Sequence, residues 1–449
     1  MRVLKFGGTS VGKPERMHHV ADLISDGLEK IVVLSAVSGT TNSLVEIHTA
    51  YQEEGNTAAR LLIDQLEKKY HPFIQKLYNS KESLEKAREL IREKFDLLRS
   101  FKQQYFTEAD AKTILAQGEL ISTNLFLFYA QEIGLNATLI PALSFMKINE
   151  GEPDLDFIKK QLPITLKEAG SHTIYITQGY ICMNEKAEID NLRRGGSDYT
   201  ATLIGGALPA SEIQIWTDID GMHNNDPRIV KDTFPVHTIS FEEAAELAYF
   251  GAKILHPSCV LPAQKSGVPV KLLNTMEPQA KGTIISDNYS PAPNGIKAIA
   301  AKDNITAIKI LSSRMLNAYG FLKRIFEVFE QYQTSIDMIT TSEVAVSLTI
   351  DDDRNVESIL RDLNQFGIVE VDKNHTIICV AGDFGHEKAG VAAKVIKTLE
   401  NIPIRMISSG GSRSNLSFLV DTKYKVEAMN ALNEGLFKEA LKKKRALAS

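Results

Sequence analysis

The first forty residues constrain the fold most tightly. Val3 to Phe6 is a short apolar run that ends in Gly7-Gly8. Lys13 to Glu29 follows as a helix with Pro14 in its first turn, where the missing proline N–H is tolerated. Ile31 to Leu34 is a second buried strand, and Ser35-Ala36-Val37-Ser38-Gly39 comes after it. Strand, glycine turn, helix, strand is the order of an α/β layer built on a parallel sheet.

Between Gly55 and Gly118 there is no glycine and a single proline, Pro72. Leu84, Ala87, Leu90, Ile91, Phe95 and Leu98 recur at helical spacing. A helical insertion over about 56–117 is expected. The alternation then resumes, with strands at Ala137–Ile140, Thr173–Thr177, Ile213–Thr217 and Val268–Leu273 and helices at Ser197–Gly205 and Phe241–Ala252. Asn288 to Gly295 is rich in Pro, Asn and Gly and reads as a linker.

Beyond the linker the pattern repeats. Gly320-Phe-Leu-Lys-Arg-Ile-Phe and Gly390-Val-Ala-Ala-Lys-Val-Ile each open an apolar helix, 70 residues apart. Asp337-Met338-Ile339-Thr340 matches Arg405-Met406-Ile407-Ser408 at a distance of 68. A duplicated β-α-β-β-α unit of ferredoxin-like type accounts for this. The first unit spans about 305–372 and the second about 373–449. The second lacks a closing strand: after a helix at about Lys425 to Leu436 only a polar, basic tail remains. Residues 296–301 are expected to supply that strand, which inserts the first unit within the second.

Charge and cysteine content exclude several classes. Lys plus Arg number 51 and Asp plus Glu 56, a net charge of −5, so no clustered cationic face for nucleic acid is expected. Cys182, Cys259 and Cys379 stand far apart without a CxxC pair, which excludes a disulfide framework and a cysteine-rich zinc site. No stretch reaches the roughly 20 apolar residues that span a bilayer. The N-terminus lacks the apolar core of a signal peptide, so a cytoplasmic location without membrane association is expected.

Gly7-Gly8-Thr9-Ser10-Val11-Gly12-Lys13 nearly spells a P-loop, but Pro14 stands where the magnesium-binding hydroxyl belongs. The glycines still let backbone N–H groups crowd an anion, and Lys5 places a positive charge at the strand end.

Lys5-Phe6-Gly7-Gly8-Thr9-Ser10-Val11 resembles the N-terminal signature of the aspartokinases, within the amino acid kinase fold. Further matches follow in order: Ser35-Ala-Val-Ser-Gly-Thr-Thr41-Asn42, Gln117-Gly-Glu119-Leu-Ile-Ser122, Thr177-Gln-Gly-Tyr180 and Arg194-Gly-Gly-Ser197-Asp198-Tyr-Thr. Trp216-Thr217-Asp218, Asp226-Pro227-Arg228 and Gly251-Ala-Lys253-Ile-Leu-His256-Pro257 complete the series. The C-terminal repeat resembles the paired ACT modules of these enzymes. The match is closest to the single-function, lysine-sensitive type. The implied fold is a mostly parallel central sheet with helices on both faces over residues 1–290, followed by two ferredoxin-like ACT modules over 296–449. The implied reaction is phosphorylation of the side-chain carboxylate of L-aspartate by ATP with Mg2+, the first step towards lysine, threonine and methionine.

By the same resemblance, Lys5 and Lys253 are the lysines on the ATP phosphates, and Asp198 orients them and helps hold the magnesium ion. Ser35, Thr41, Glu119, Tyr180, Arg194 and Ser197 surround aspartate. Arg194 suits the α-carboxylate, because guanidinium meets carboxylate with two parallel hydrogen bonds. Glu119 suits the α-ammonium. Gly7, Gly8, Thr217, Asp218, His223 and Arg228 join the lysines on the nucleotide. The family usually has an aromatic where His223 stands, and a glycine where Arg193 stands. His256 reads as a structural cap, and no resident metal site is expected.

Feedback is implied at the first ACT module, where Met315, Ala318, Gly320, Phe321, Leu322, Ser335, Ile336, Asp337, Thr341 and Glu343 match the effector-binding positions. Asp337 and Glu343 are suited to an ammonium group. Ala318 replaces a serine usual in the lysine-sensitive type. Lysine is the first choice of effector and threonine the second. A homodimer or higher assembly through the ACT modules is also implied. Two alternatives remain: a non-catalytic amino-acid sensor, and a kinase for another acceptor such as glutamate. A dehydrogenase half is not expected, since no GxGxxG occurs and the chain ends soon after the second repeat.

Overall fold

A computed structural model describes the chain apart from residues 193–194, 253–254, 288–294, 317–318, 386 and 449, and apart from the side chains of 439–440 and 442–448. Residues 288–294 of the expected linker, Arg193, Arg194, Lys253 and Ala318 thus lie outside the described residues. Two compact units form: Met1–Met222 with Ile254–Tyr289, and His223–Lys253 with Ser290–Ser449.

The first unit begins β1 (Arg2–Phe6), α1 (Pro14–Ile24), β2 (Lys30–Leu34). The helix is shorter than the expected Lys13–Glu29. Ser25 turns its hydroxyl back onto the Asp22 carbonyl, and Gly27 at φ +75° carries the chain away. Next come α2 (Thr40–Glu53), α3 (Asn56–Leu77), α4 (Lys81–Ser100) and α5 (Glu108–Glu132). Buried tyrosines knit these helices. The Tyr51 hydroxyl donates to the Leu98 carbonyl at 2.8 Å, and that of Tyr78 to the Leu125 carbonyl at 2.7 Å. A Thr107–Asp110 capping box starts α5.

The remainder is β3 (Ala137–Leu139), a short hairpin of β4 (Ile148–Asn149) and β5 (Glu152–Pro153), α6 (Leu155–Ala169), β6 (Ile174–Gln178), a second hairpin of β7 (Ile181–Met183) and β8 (Ile189–Asn191), α7 (Gly196–Ala207) and β9 (Ile213–Thr217). After β10 (Thr238–Ile239) and α8 (Phe241–Tyr249), which belong to the second unit, the first unit closes with α9 (Pro257–Ser266), β11 (Val270–Asn274) and β12 (Thr283–Ile285). Its sheet runs β12-β11-β9-β1-β2-β6-β3, and only the β11–β12 pairing in this series is antiparallel. Every residue of β2 and of β6 is buried, as expected of strands covered on both faces.

Register decides where the loops emerge. Phe6 lies opposite Leu34 and Trp216, and Leu34 opposite Gln178. Four parallel strands therefore end at one level. The segments after them, starting at Gly7, Ser35, Gly179 and Asp218, leave from the same carboxyl edge, where open α/β sheets bind ligands.

The second unit contains a six-stranded antiparallel sheet ordered β14-β15-β13-β16-β18-β17. Its strands are β13 (Ile296–Leu311), β14 (Ile339–Thr341), β15 (Ala345–Ile350), β16 (Ile368–Gly382), β17 (Ile404–Ser409) and β18 (Asn415–Asp421). Helices α10 (Phe321–Gln331) and α11 (Val356–Leu363) belong to the first module, α12 (Val391–Thr398) and α13 (Lys425–Ala448) to the second. β13 serves both modules. Its N-terminal part, Ile296 to Lys302, pairs with Ile377 to Gly382, and Ala307 to Leu311 pairs with Ile368 to Asp372 after a register shift near Ile305. Each module has its own apolar core.

Two expectations are corrected here. The helix from Lys425 runs on to Ala448 with a kink at Phe437 instead of yielding to a tail, because Leu436, Phe437 and Leu441 enter the second module's core. The segment His223–Lys253, expected within 1–290, packs with the second unit. Val230 joins the second module's core, the Asn224 amide donates to the Asn433 side chain at 2.7 Å, and Asn225 donates to the Met429 carbonyl at 3.1 Å.

Candidate active site

The carboxyl edge of the first unit's sheet gathers most of the expected residues. Lys5 points from β1 to Asp198, in the first turn of α7, with its ammonium 2.6 Å from the carboxylate. Both side chains keep a small exposed fraction, 12% and 19%, so the pair is shielded but reachable. A Cβ placed on Gly7 would lie 3.3 Å from the Lys5 ammonium, and one on Gly8 would meet the Ala36 carbonyl at 3.0 Å. The glycine turn thus brings bare backbone under the cation and against the next loop.

Ser35 donates to the Ser197 hydroxyl at 2.9 Å, linking the loop after β2 to α7. Gly195, at φ +96°, caps that helix, and the Asp198 N–H donates to its carbonyl. A Cβ on Gly179 would fall 2.3 Å from the Ser197 side chain, so only glycine lets β6 run past α7. Helix α5 reaches the same place because Gly118 allows it: a Cβ there would lie 2.8 Å from that of Ala36. This contact delivers Glu119, whose Oε1 accepts from the Ala36 N–H at 3.1 Å. The other oxygen, Oε2, is buried and has no hydrogen-bond partner among the described residues. Burial pushes the Glu119 carboxyl up to about 7, against the opposing pull of the Ala36 hydrogen bond and the Lys5 charge.

Tyr180 follows Gly179 with φ +67°. A bulky residue in that region is strained by about 1–3 kcal/mol and persists only where its surroundings hold it. Its N–H donates to the Thr200 hydroxyl at 2.9 Å and its carbonyl accepts from Leu192 at 2.7 Å. Burial and the Glu119 and Asp190 charges push its phenol up to about 12. Thr41 sits in the first turn of α2, half-buried. The Thr217 hydroxyl donates to Asp218, which is exposed.

His223 and Arg228 belong to the second unit. His223 pairs through Nδ1 with the Thr233 hydroxyl at 2.9 Å. Arg228 grips Asp226 with two hydrogen bonds, Nε to Oδ1 at 2.9 Å and Nη2 to Oδ2 at 2.7 Å. His256 caps α9, its Nδ1 accepting from the Ser258 N–H at 3.3 Å.

Among the effector candidates, Met315, Leu322 and Ile336 pack on the first module's core beside buried Phe321. Gly320 caps α10 at φ +75°. Ser335, Thr341 and Glu343 are exposed. The Asp337 side chain is buried and already holds a cation: its carboxylate takes the Lys302 ammonium at 2.6 Å and the Tyr249 hydroxyl at 2.6 Å. Lys302 also reaches Asp351 at 2.8 Å and lies over the Tyr249 ring, 4.5 Å from its centre.

Other contributors escaped the sequence reading. Ser122 donates to the Ser35 carbonyl at 2.6 Å and so fixes the loop after β2. Thr200 holds the Tyr180 backbone. Both stand inside quoted motifs, Gln117–Ser122 and Arg194–Thr200, and that was the available signal. Buried Cys259, whose thiol burial pushes well above its ordinary range, backs Gly195: a Cβ there would lie 2.7 Å from its sulfur.

The chain as a whole is similar to known proteins. Residues 1–274 match the amino acid kinase family, and 308–360 with 378–436 match the ACT domain. "Lysine-sensitive aspartokinase 3" of Escherichia coli is 34% identical over 97% of this chain and 99% of its own length. "Aspartokinase 1, chloroplastic" of Arabidopsis thaliana is 33% identical over 97% of this chain and 80% of its own. The crystal structure of E. coli aspartokinase III in complex with aspartate and ADP (R-state) matches with a TM-score of 0.85 and 33% identity, covering 97% of this chain and 100% of that one. The T-state complex of the same enzyme with lysine and aspartate matches with a TM-score of 0.80, 33% identity and coverage of 97% and 99%. A carboxyl-edge site built on a Lys5–Asp198 pair, a duplicated C-terminal module and this likeness along nearly the full chain place the protein in the aspartokinase family.

Proposed function

We propose that Lys5, Asp198, Glu119, Ser35, Ser197 and Tyr180 form the phosphotransfer site of an ATP:L-aspartate 4-phosphotransferase. The observation that carries this reading is the convergence at one sheet edge of the Lys5–Asp198 pair and the buried Glu119 carboxylate, one oxygen of which is unmatched among the described residues.

Aspartate's side-chain carboxylate, with an ordinary pKa near ~3.9, is ionised at neutral pH and needs no general base. Its oxygen attacks the γ-phosphorus of ATP, the bond from that phosphorus to the bridging oxygen breaks, and the electron pair leaves with ADP. The product is an acyl phosphate. Catalysis then rests on in-line positioning and compensation of charge on the transferring group. Lys5 supplies the fixed cation, and Asp198 holds it in place before nucleotide arrives. Gly8 offers a backbone N–H to the phosphates, while the Gly7 N–H donates to the Trp216 carbonyl at 3.3 Å and Gly7 contributes the bare backbone beside Lys5. Thr217 and Asp218 leave the same sheet edge, on the nucleotide side. Lys253, Arg228 and His223 extend the nucleotide contacts, and Arg194 the aspartate contacts with Thr41.

Glu119 takes the α-ammonium. The unmatched Oε2 gains a cationic partner, which compensates the burial that now raises its pKa. Magnesium suits this donor set as an ion carried by the nucleotide. It prefers phosphate oxygens and waters with one or two carboxylates, and Asp198 is the carboxylate that would hold it. When bound it neutralises charge on the phosphates.

Feedback by lysine, with threonine second, acts through Met315, Ala318, Gly320, Phe321, Leu322, Ser335, Ile336, Asp337, Thr341 and Glu343, in a homodimer or larger assembly. The lysine complex of the E. coli relative supports this choice. Incubation with Mg-ATP and either aspartate or glutamate, followed by hydroxylamine trapping, tests the whole reading. Hydroxamate from aspartate is expected. Hydroxamate from glutamate alone, or a rate untouched by lysine and threonine, would overturn the acceptor or the effector respectively.

A further inference from the structure

Helix α5 carries an ionic cluster two turns before Glu119, where Lys112 lies 3.3 Å from Glu108 on the same helix. The Lys112 ammonium lies 2.8 Å from Asp190 Oδ2, in strand β8. Positions 112 and 119 are seven apart and so share one helix face. Asp190 is 7% exposed and Asn191 9%, so the contact reaches into the interior of the β7–β8 hairpin. The other Asp190 oxygen accepts from the Asn191 N–H at 2.6 Å. Asn191 pairs in register with Ile181, next to Tyr180 in the chain. The hairpin returns a backbone bond as well, from Leu192 N–H to the Tyr180 carbonyl at 2.7 Å. The contacts lead from α5 through the hairpin to Tyr180.

We infer that Lys112 and Asp190 are positioning residues for Tyr180: the Lys112–Asp190 contact clamps the β7–β8 hairpin to the helix that carries Glu119, and fixes the two sides of the aspartate site relative to each other. This rests on the reading of Tyr180 and Glu119 as aspartate contacts. Neither touches the reacting atoms. Their effect is on geometry, where a displacement of about 1 Å can change a rate about a hundredfold.

The test compares Lys112→Met, Lys112→Arg, Asp190→Asn and Tyr180→Ala in the full-length protein, by steady-state kinetics and thermal unfolding. Lys112 is partly exposed, so its removal leaves the core intact. Lys112→Met and Asp190→Asn are expected to raise the aspartate KM about tenfold or more while the ATP KM stays within about twofold. Lys112→Arg should restore most of the loss. Adding Asp190→Asn to Tyr180→Ala should change the aspartate KM no further. A lowered Tm with unchanged aspartate KM in both clamp variants would overturn the inference and leave a purely structural bridge. If Tyr180→Ala itself leaves the aspartate KM unchanged, Tyr180 makes no aspartate contact, and the inference falls together with that assignment.

Discussion

Replacing Glu119 by glutamine should stabilise the free protein and cripple aspartate binding, and both effects should depend on pH. Burial raises the carboxyl from an ordinary 4.5 to about 7. A folded value above the unfolded one means that folding favours the neutral acid. Stability is therefore lost as pH rises from about 4.5 to about 7, and the loss is constant above that range. At 1.36 kcal/mol per pH unit, the ionised group costs the fold about 3 kcal/mol at pH 8. Glutamine keeps the acceptor for the Ala36 N–H and carries no charge. Denaturant unfolding without ligand should show Glu119→Gln more stable by about 3 kcal/mol at pH 8 and nearly equal to the parent at pH 4. For aspartate the sign reverses. The parent must ionise Glu119 to meet an ammonium, so its kcat/KM for aspartate should fall about tenfold per pH unit below about 7. Losing a hydrogen bond to a charged group removes about 1.5–3 kcal/mol, so the variant should lose about 10- to 150-fold at pH 8. Its profile should be flat across that region. Equal stability at pH 8, or a parent profile flat through pH 7, would refute the claim that a desolvated carboxylate waits for a cation.

Lys5→Ala should lower kcat by about a hundredfold or more with little change in aspartate KM; a change confined to KM would show that Lys5 contributes uniform binding instead. Gly179→Ala places a methyl 2.3 Å from the Ser197 side chain. It should destabilise the first unit by about 1–3 kcal/mol in chemical unfolding, and an unchanged transition would mean α7 yields freely. Lys302→Met leaves the buried Asp337 carboxylate without its cation and should cost about 3–5 kcal/mol at neutral pH. Addition of Asp337→Asn should recover much of that loss, and no recovery would show that Lys302 acts through packing.

Much of the fold was legible locally. The apolar runs at Val3–Phe6, Ile31–Leu34 and Ile213–Thr217 need burial on both faces, and a parallel sheet provides it. The duplication was visible as matched helix openings and strand motifs. Helix ends were less legible. α1 stops at Ile24 because a side chain and Gly27 intervene, whereas α13 runs past Leu436 because three apolar residues in a basic stretch find a core. The segment His223–Lys253 has no local mark of the unit it joins, since its allegiance is set by Asn433 and Met429, two hundred residues away.

The candidate site divides in the same way. Sequence alone determined which chemical groups the chain has to offer: lysine and glycines at a strand end, an acid at a helix start, a carboxylate after Gln117-Gly118. These are local, because each needs only its own turn or cap. Tertiary structure decided their states. Glu119 reaches a high pKa only because α5 packs on Ala36, Asp337 acquires Lys302 as its cation only through folding of the first module, and Tyr180 holds its left-handed backbone only between Thr200 and the β7–β8 hairpin. Desolvation and charge pairing depend on which distant segments close around a group, and no local pattern of residues encodes that.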